Sequence, residues 1–192
     1  MPRPRFDLSR SVRAFLAPFG CAAIALACGP SMPAQGPGRP LPAYAGHATE
    51  LFDDIIEPGS VGLTLDGRPD PRADRALRER TQVGDAVLRV RATTVTAKQE
   101  DSGVRYAVGL HTLESLAGPF PPGETFEVSV GPLNPSTGIL KTMEGQVVGK
   151  TFVVFVRAFV RPDGDQELHF HFAPDTKDEL AAVRDAAALS RL

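Results

Sequence analysis

The chain has 192 residues and a formal net charge of −2 at pH 7, with 42% hydrophobic and 23% charged residues. This composition is typical of one folded domain with a hydrophobic core and excludes a wholly disordered chain. The 21 basic residues are scattered among 23 acidic ones, which excludes the clustered basic surface that nucleic-acid binding requires.

The first 27 residues have the pattern of an export signal. Four arginines form a basic start, and residues 14–27 form an uncharged apolar stretch that ends in small residues. This pattern predicts a signal peptide over residues 1–27. The stretch is shorter than the roughly 20 apolar residues that a membrane-spanning helix needs. Removal of this segment takes away four Arg and one Asp, so the remaining chain has a charge of about −5.

The end of the apolar stretch resembles a bacterial lipobox, with the sequence IALACG at residues 24–29. In that motif small residues precede a cysteine that is acylated and becomes the new N-terminus. The resemblance therefore implies a lipid anchor at Cys28 and a place in the cell envelope, held to a membrane. Gly29, directly after the cysteine, resembles the residue usual in lipoproteins that are sorted to the outer membrane. This resemblance favours the outer membrane or the periplasmic face. Leu is usual three residues before the cysteine, and here that position holds Ala25.

Cleavage without lipidation is the alternative, and it would give a secreted protein. Ala25-Leu26-Ala27 is an A-x-A site, and Ala43-Tyr44-Ala45 is another. The placement of the two cysteines supports the lipid anchor, because Cys21 lies inside the predicted signal peptide and Cys28 would carry the lipid. With Cys28 acylated, the folded part has no thiol for a disulfide.

Residues 28–46 are rich in Pro and Gly and poor in large hydrophobic residues. Such a segment cannot bury enough apolar surface to fold, so it is predicted to be a tether. At about 3 Å per residue its reach is on the order of 50 Å. Residues 47–192 are predicted to form a single β-rich domain.

The start of this domain is predicted to contain three short elements. Residues 50–58 suit a single helical turn, and residues 61–65 suit an edge strand. Good helix formers over residues 73–82 predict a short exposed helix, ended by Gly84, that packs through Leu77.

The strands that follow are marked by alternation of apolar and polar residues. Residues 85–98 form the first, and a turn at residues 100–103 leads to the second. The predicted inner face of the second strand contains Tyr106, Val108, Leu110 and Thr112, and that of the third contains Phe126, Val128 and Val130. The connection 131–149 is predicted to hold a short helix around residues 136–143. Residues 151–161 are apolar on both faces at first, which predicts a central strand covered by the C-terminal helix.

The last two strands form a predicted hairpin whose register follows from its faces. Val156, Ala158 and Val160 share a face with the apolar residues Leu168, Phe170 and Phe172 only if the loop has an odd length. Pairing Arg161 with Glu167 satisfies this, with a five-residue loop, and places His171 beside Arg157.

A C-terminal helix is predicted over residues 176–190. Thr176 and Glu179 have capping-box spacing, and Leu180, Val183 and Ala187 form an apolar stripe.

The order of these elements, over about residues 85–173, is similar to that of an OB-fold. That fold is a small five-stranded barrel with a helix in the connection between its third and fourth strands. The predicted fold class is therefore mainly β, as a five-stranded OB-like barrel or an antiparallel sheet, with a C-terminal helix and a short N-terminal helix.

The strongest candidate for chemistry is the pair His169 and His171, whose spacing places both imidazoles on one face of a strand. Such a pair can ligate a divalent metal, with His111, Asp163 or Asp165 as third ligand. Arg157 beside the pair would repel a cation, so the favoured interpretation is a polar outer face, with no bound cofactor.

Other chemistries have less support from the sequence. No nucleophile elbow or H-E-x-x-H motif is present. Asp53, Asp54 and Glu57 suit glycoside chemistry in principle but are more typical of capping or solvated charges. The leading hypothesis is a non-catalytic envelope lipoprotein that binds another envelope protein. The alternative is a protein that binds a metal or small ligand through His169 and His171.

Overall fold

The computed structural model describes residues 40–63, 70–118 and 123–190. The predicted signal peptide and Cys28 lie outside these ranges. The strands are β1 (Ile55–Ile56), β2 (Ala86–Glu100), β3 (Gly103–Ala117), β4 (Thr125–Val130), β5 (Thr151–Val160) and β6 (Gln166–Pro174). The helices are α1 (Ala48–Leu51), a 3-10 helix (Pro58–Val61), α2 (Arg75–Val83), α3 (Ser136–Val147) and α4 (Lys177–Leu189). None of these helices is long and apolar enough to cross a membrane.

The six strands form one mixed, open sheet in the order β1-β6-β5-β2-β3-β4. Among the six strands, the described pairings are antiparallel except that of β1 with β6, which is parallel. The mainly β class and the C-terminal helix are confirmed, but the sheet is not closed as a five-stranded barrel. The sixth strand, β1, is only two residues long, and so short a strand leaves no alternation in the sequence.

A long hairpin of β2 and β3 forms one half of the sheet. Its two-residue turn lies between Glu100 and Gly103, as predicted, and Gly103 takes the positive φ of 128° that this turn requires. Only residues 86–91 of β2 pair with β5. The rest of β2, which leads to the turn with β3, extends past the start of β5. The predicted core positions Val108 and Leu110 are buried.

Each face of the sheet has its own hydrophobic core. On one face, α3 packs through Leu140 and Val147 on a cluster that includes Phe170 and Phe172. On the other face, α2 and α4 cover β5, whose residues alternate between the two clusters. Burial on both sides accounts for the continuous apolar run of β5, and the prediction that the terminal helix covers it is confirmed.

The start of α4 follows the predicted capping chemistry. The Thr176 hydroxyl accepts a hydrogen bond from the Glu179 amide at 3.1 Å, at the start of α4. Leu77 of α2 is buried, as predicted. The edge strand expected at residues 61–65 is not found in its described part, because Val61 ends the 3-10 helix and Gly62 turns the chain with a φ of 89°.

The hairpin between β5 and β6 has the predicted faces but not the predicted register. Phe159 pairs with Glu167, where the prediction paired Arg161. The last strand pair is Val160 with Gln166, so the connection is residues 161–165 where the prediction gave 162–166. Inside it, Gly164 takes a φ of 92° and its amide donates to the Arg161 carbonyl at 3.0 Å, which makes a tight turn. A shift of two residues keeps every side chain on its face. Arg157 is consequently opposite His169 instead of His171.

Residues 40–46, assigned from the sequence to the tether, lie against the domain and are called the strap below. Ala43 forms a parallel β-bridge with Val160, and the Val160 amide donates to the Pro42 carbonyl at 2.9 Å. Tyr44 packs on the hydrophobic cluster under α2 and α4. The folded unit therefore includes the last residues of the predicted tether.

Candidate functional site

His169 and His171 alternate along β6 with Phe170 and Phe172, so the two imidazoles lie on the face opposite the two phenyl rings. Both histidines are buried, at 6% and 4% exposure. The favoured interpretation of a polar, wet outer face is therefore wrong at these positions. Strand β6 is covered on this face as well, and several of the residues that cover it are charged.

The covering residues come from the segment 53–57, which contains β1 and runs along the edge of β6. Three of its five side chains are carboxylates, at positions 53, 54 and 57. Parallel pairing of Ile55 with His171 and of Ile56 with Phe172 sets this segment beside the two histidines. The structure thus gathers three acids and two histidines, here called the His-carboxylate cluster.

His171 is bonded by a carboxylate at each ring nitrogen. Its Nδ1 lies 2.8 Å from Asp53 Oδ1, and its Nε2 lies 3.0 Å from Glu57 Oε1. Ionised carboxylates only accept hydrogen bonds, so both nitrogens donate when the ring is an imidazolium. Burial lowers the pKa of His171, but the hydrogen bonds to Asp53 and Glu57 outweigh burial and raise this pKa overall.

His169 has one carboxylate partner. Its Nδ1 lies 2.8 Å from Asp54 Oδ2, while the other Asp54 oxygen accepts the Phe170 amide at 3.0 Å. Burial raises the pKa of Asp54, and the hydrogen bond with His169 opposes this effect. The Nε2 atom of His169 is buried without a hydrogen-bond partner in the described part of the chain, 3.6 Å from Glu167 Oε2.

Tyr44 of the strap closes the cluster on the side of His169. Its ring stacks on the imidazole with centroids 3.4 Å apart, and its hydroxyl donates to the Phe52 carbonyl at 2.6 Å. Burial, together with the nearby Asp54 and Asp53 carboxylates, raises the pKa of Tyr44 to about 12. The phenol is therefore neutral and keeps its donated hydrogen bond at physiological pH.

Two further charges lie behind the cluster, one on each covering helix. Arg80 of α2 is buried and its Nε donates to the Leu51 carbonyl at 2.7 Å. Burial lowers the pKa of Arg80, and the surrounding acids, among them Asp53 and Glu57, oppose this effect. Glu179 in the first turn of α4 is 2% exposed and acts electrostatically on Arg80. Arg80 thus offsets part of the negative charge that the cluster collects.

The predicted metal ligands are not brought together. His111 is on β3, three strands from β6, which corresponds to about 14 Å at the usual strand spacing. Arg157 is next to His169, with its guanidinium 5.4 Å from the centre of the Phe159 ring. Over residues 40–63, 70–118 and 123–190, no three His, Cys, Asp or Glu side chains are grouped as a metal site.

From the sequence alone, the acids at positions 53, 54 and 57 are expected to be capping or solvated charges, and Tyr44 is expected to lie in a cleavage site. Two sequence features could have indicated the His-carboxylate cluster. These are the two histidines two residues apart and the segment with three acids, whose charges are complementary to protonated histidines. Joining those segments, which are more than 110 residues apart, needs the pairing of β1 with β6.

A shallow pocket of about 540 Å³ lies between the strap and the β5–β6 turn. Its lining includes Tyr44, Phe159, Arg161 and Glu167. Tyr44, Phe159 and Glu167 of this lining also lie next to His169, which is not itself part of the lining.

No family model matches this sequence, and no curated protein matches it. The arrangement of the His-carboxylate cluster is therefore the basis for its interpretation.

Proposed function

We propose that this chain is an exported lipoprotein of a bacterial envelope, anchored through Cys28, whose domain binds another envelope protein without catalysis. Three features of the sequence support the proposed location in the envelope. They are the signal-like residues 1–27, the lipobox-like residues 24–29 and the Pro- and Gly-rich segment after them. The anchor and the tether would hold the domain near a membrane while leaving it free to meet a partner.

One observation supports a non-catalytic role above all: the His-carboxylate cluster is closed. Both nitrogens of His171 face carboxylates, and His169 is covered by Tyr44. A general base must reach the proton of a substrate, and neither imidazole offers an exposed nitrogen. The charges bind one another, as in a structural network.

A sheet edge is the surface on which we expect the partner to bind. Strand β4 pairs only with β3 among the described strands. Residues 125, 127 and 129 along it are exposed. An unpaired strand edge has free backbone donors and acceptors, which an extended segment of another protein can pair with.

The test is crosslinking in living cells, followed by affinity purification of the full-length protein and mass spectrometry. We expect one envelope protein in stoichiometric amount, and incorporation of a labelled fatty acid that Cys28→Ser abolishes. Cys21→Ser is the matched control, because that residue lies inside the predicted signal. Recovery of the bare protein would contradict the interaction role, and labelling that survives in Cys28→Ser would contradict the anchor.

A second candidate is the binding of a small apolar molecule in the pocket beside the strap, favoured by the Tyr44 and Phe159 rings in its lining. Native mass spectrometry of the purified protein tests this. A retained ligand that is lost in Phe159→Ala supports the role, and an unliganded mass contradicts it.

A further inference from the structure

The segment 53–57 covers a short part of the outer edge of β6, through the parallel pairing of Ile55 with His171 and of Ile56 with Phe172. The Asp54 amide donates to the Phe170 carbonyl at 2.9 Å, and the Glu57 amide donates to the Phe172 carbonyl at 3.1 Å. The Phe170 amide donates not to a strand but to the Asp54 carboxylate at 3.0 Å. A nine-residue strand is thus covered by a two-residue one and a side chain.

The residues that make these backbone contacts, or lie next to them, also carry the carboxylates of the cluster. Asp53 and Glu57 hold His171 from both sides, and Asp54 holds His169. The attachment of the segment to β6 therefore combines a short ladder with ionic hydrogen bonds, which are stronger than neutral ones.

The charged groups around His171 show why its proton matters. Asp53 and Glu57 face it from the covering segment, and Arg80 faces it from α2. Glu179 of α4 acts on Arg80, while Asp54 with its partner His169 is the next pair along β6. When His171 loses a proton, one of its two carboxylate bonds is lost.

Within the segment, the Ile55 amide donates to the Asp53 carboxylate at 3.2 Å. Two further contacts join the segment to neighbouring residues through neutral groups. The Asn134 side chain donates to the Asp53 carbonyl at 3.1 Å, and the Ile56 amide donates to the Ser136 hydroxyl at 2.7 Å. Neither bond depends on the protonation of a histidine, so they hold the segment equally at all pH values near neutrality.

We propose that residues 53–57 are a proton-dependent cover of the β6 edge, closed while His171 is an imidazolium and opened as that proton is lost. Opening frees the backbone groups of Phe170 and Phe172, and a freed strand edge is a surface for pairing with another chain. The cover is a property of the domain alone and does not depend on the proposed partner.

The sign of the pH effect follows from the direction of the pKa shift. Hydrogen bonding in the closed form raises the pKa of His171, so the closed form binds this proton more tightly than the open form. Closure is therefore fully favoured below the ordinary histidine pKa and is lost as pH rises through the raised value. One proton released on opening gives a tenfold change in the opening equilibrium per pH unit within that window.

Hydrogen exchange followed by mass spectrometry tests the cover in the full-length protein. Peptides spanning residues 51–60 and 165–175 are compared from about pH 5.5 to pH 9, after correction for the intrinsic exchange rate. We expect their protection to fall with rising pH by up to about tenfold per unit, while peptides from β3 and β5 keep theirs. Protection that stays constant over this range would overturn the proposal.

Two variants separate the proton of His171 from other effects. His171→Gln keeps a polar side chain without a titrating ring, so the pH dependence should disappear. Glu57→Gln removes one carboxylate and should move the loss of protection to lower pH, which keeps the test decisive if the first variant does not fold. His111→Gln on β3 is the matched control and should behave like the wild type. The same fall in His171→Gln as in the wild type would assign it to another group.

Discussion

The ring of Tyr44 lies almost parallel to the imidazole of His169, with an angle of 10° between the planes and 3.4 Å between the centroids. This contact joins the strap, which precedes the domain, to a strand near the other end of the chain. Through it the end of the predicted tether is fastened to the same cluster that holds the segment 53–57 on β6.

Replacing Tyr44 tests how much the strap contributes to stability. We expect Tyr44→Ala to lower the free energy of unfolding by about 2 to 3 kcal/mol, since it removes aromatic contacts with His169 and Phe159 and uncovers a buried imidazole. Tyr44→Phe keeps the stacking, loses the bond to Phe52 and should cost about 1 kcal/mol. Urea denaturation measures both. A Tyr44→Ala protein as stable as the wild type would show that the contacts of Tyr44 do not contribute to the free energy of unfolding.

Asp54 combines a rare backbone conformation with two hydrogen bonds, and its variants separate the two. Its φ is 57°, in the left-handed region that Asp and Asn tolerate better than most residues. Asp54→Ala leaves the Phe170 amide and the His169 Nδ1 without their acceptor and should cost about 2 to 4 kcal/mol. Asp54→Asn keeps one acceptor and the backbone preference, so its cost should be about 1 kcal/mol. Equal losses in the two variants, in thermal or urea unfolding, would contradict this assignment.

The decrease in the free energy of unfolding at acid pH should depend on the ion pair of Arg89 and Asp175. Arg89 donates to both Asp175 oxygens at 2.8 to 2.9 Å. Burial on its own raises the pKa of Asp175, but hydrogen bonds from Arg89 and Thr151 outweigh it and lower this pKa. Its stabilising effect is therefore present above the unfolded-state value and lost as pH falls through the folded-state value.

Asp175→Asn should accordingly cost about 1 kcal/mol at pH 7, because Arg89 is partly exposed and solvent screens the pair. The difference from the wild type should shrink as the pH falls from about 5 to about 2. Unfolding free energies measured at several pH values check this. Asp185→Asn is the matched control, because its ion pair with Arg72 is longer, at 3.6 Å, and exposed. A constant difference at all pH values would contradict the role of the ionised pair.

Two glycines should respond in opposite directions to the same substitution. Gly164→Ala places a side chain at a φ of 92° in the β5–β6 turn, and we expect a loss of about 1 kcal/mol or more. Gly138→Ala lies in α3, where an added Cβ meets no atom within 4 Å, and should gain about 0.5 to 1 kcal/mol. Thermal unfolding of both variants is the measurement. Two changes of the same sign would show that backbone conformation does not dominate at these sites.

Strands with alternating residues were predictable from the sequence because alternation reports burial on one face. The core positions Val108, Leu110, Val128 and Val130 were predicted and are buried, and the capping role of Thr176 was read from local spacing. The prediction of the β5–β6 register was wrong by two residues, because the faces alone allow registers that differ by two and the tight turn at Gly164 selects among them.

By itself the sequence determined the mainly β character, the central place of β5 and the C-terminal helix, since each leaves a periodic or local pattern. Only the tertiary structure decided that the sheet is open and that residues 53–57 form its edge beside β6. It also decided that His169 and His171 are buried ion partners and not a polar face. The physical reason is sequence separation: the partners of these histidines lie more than 110 residues away. Local patterning carries no information about which distant carboxylate accepts a given imidazole proton.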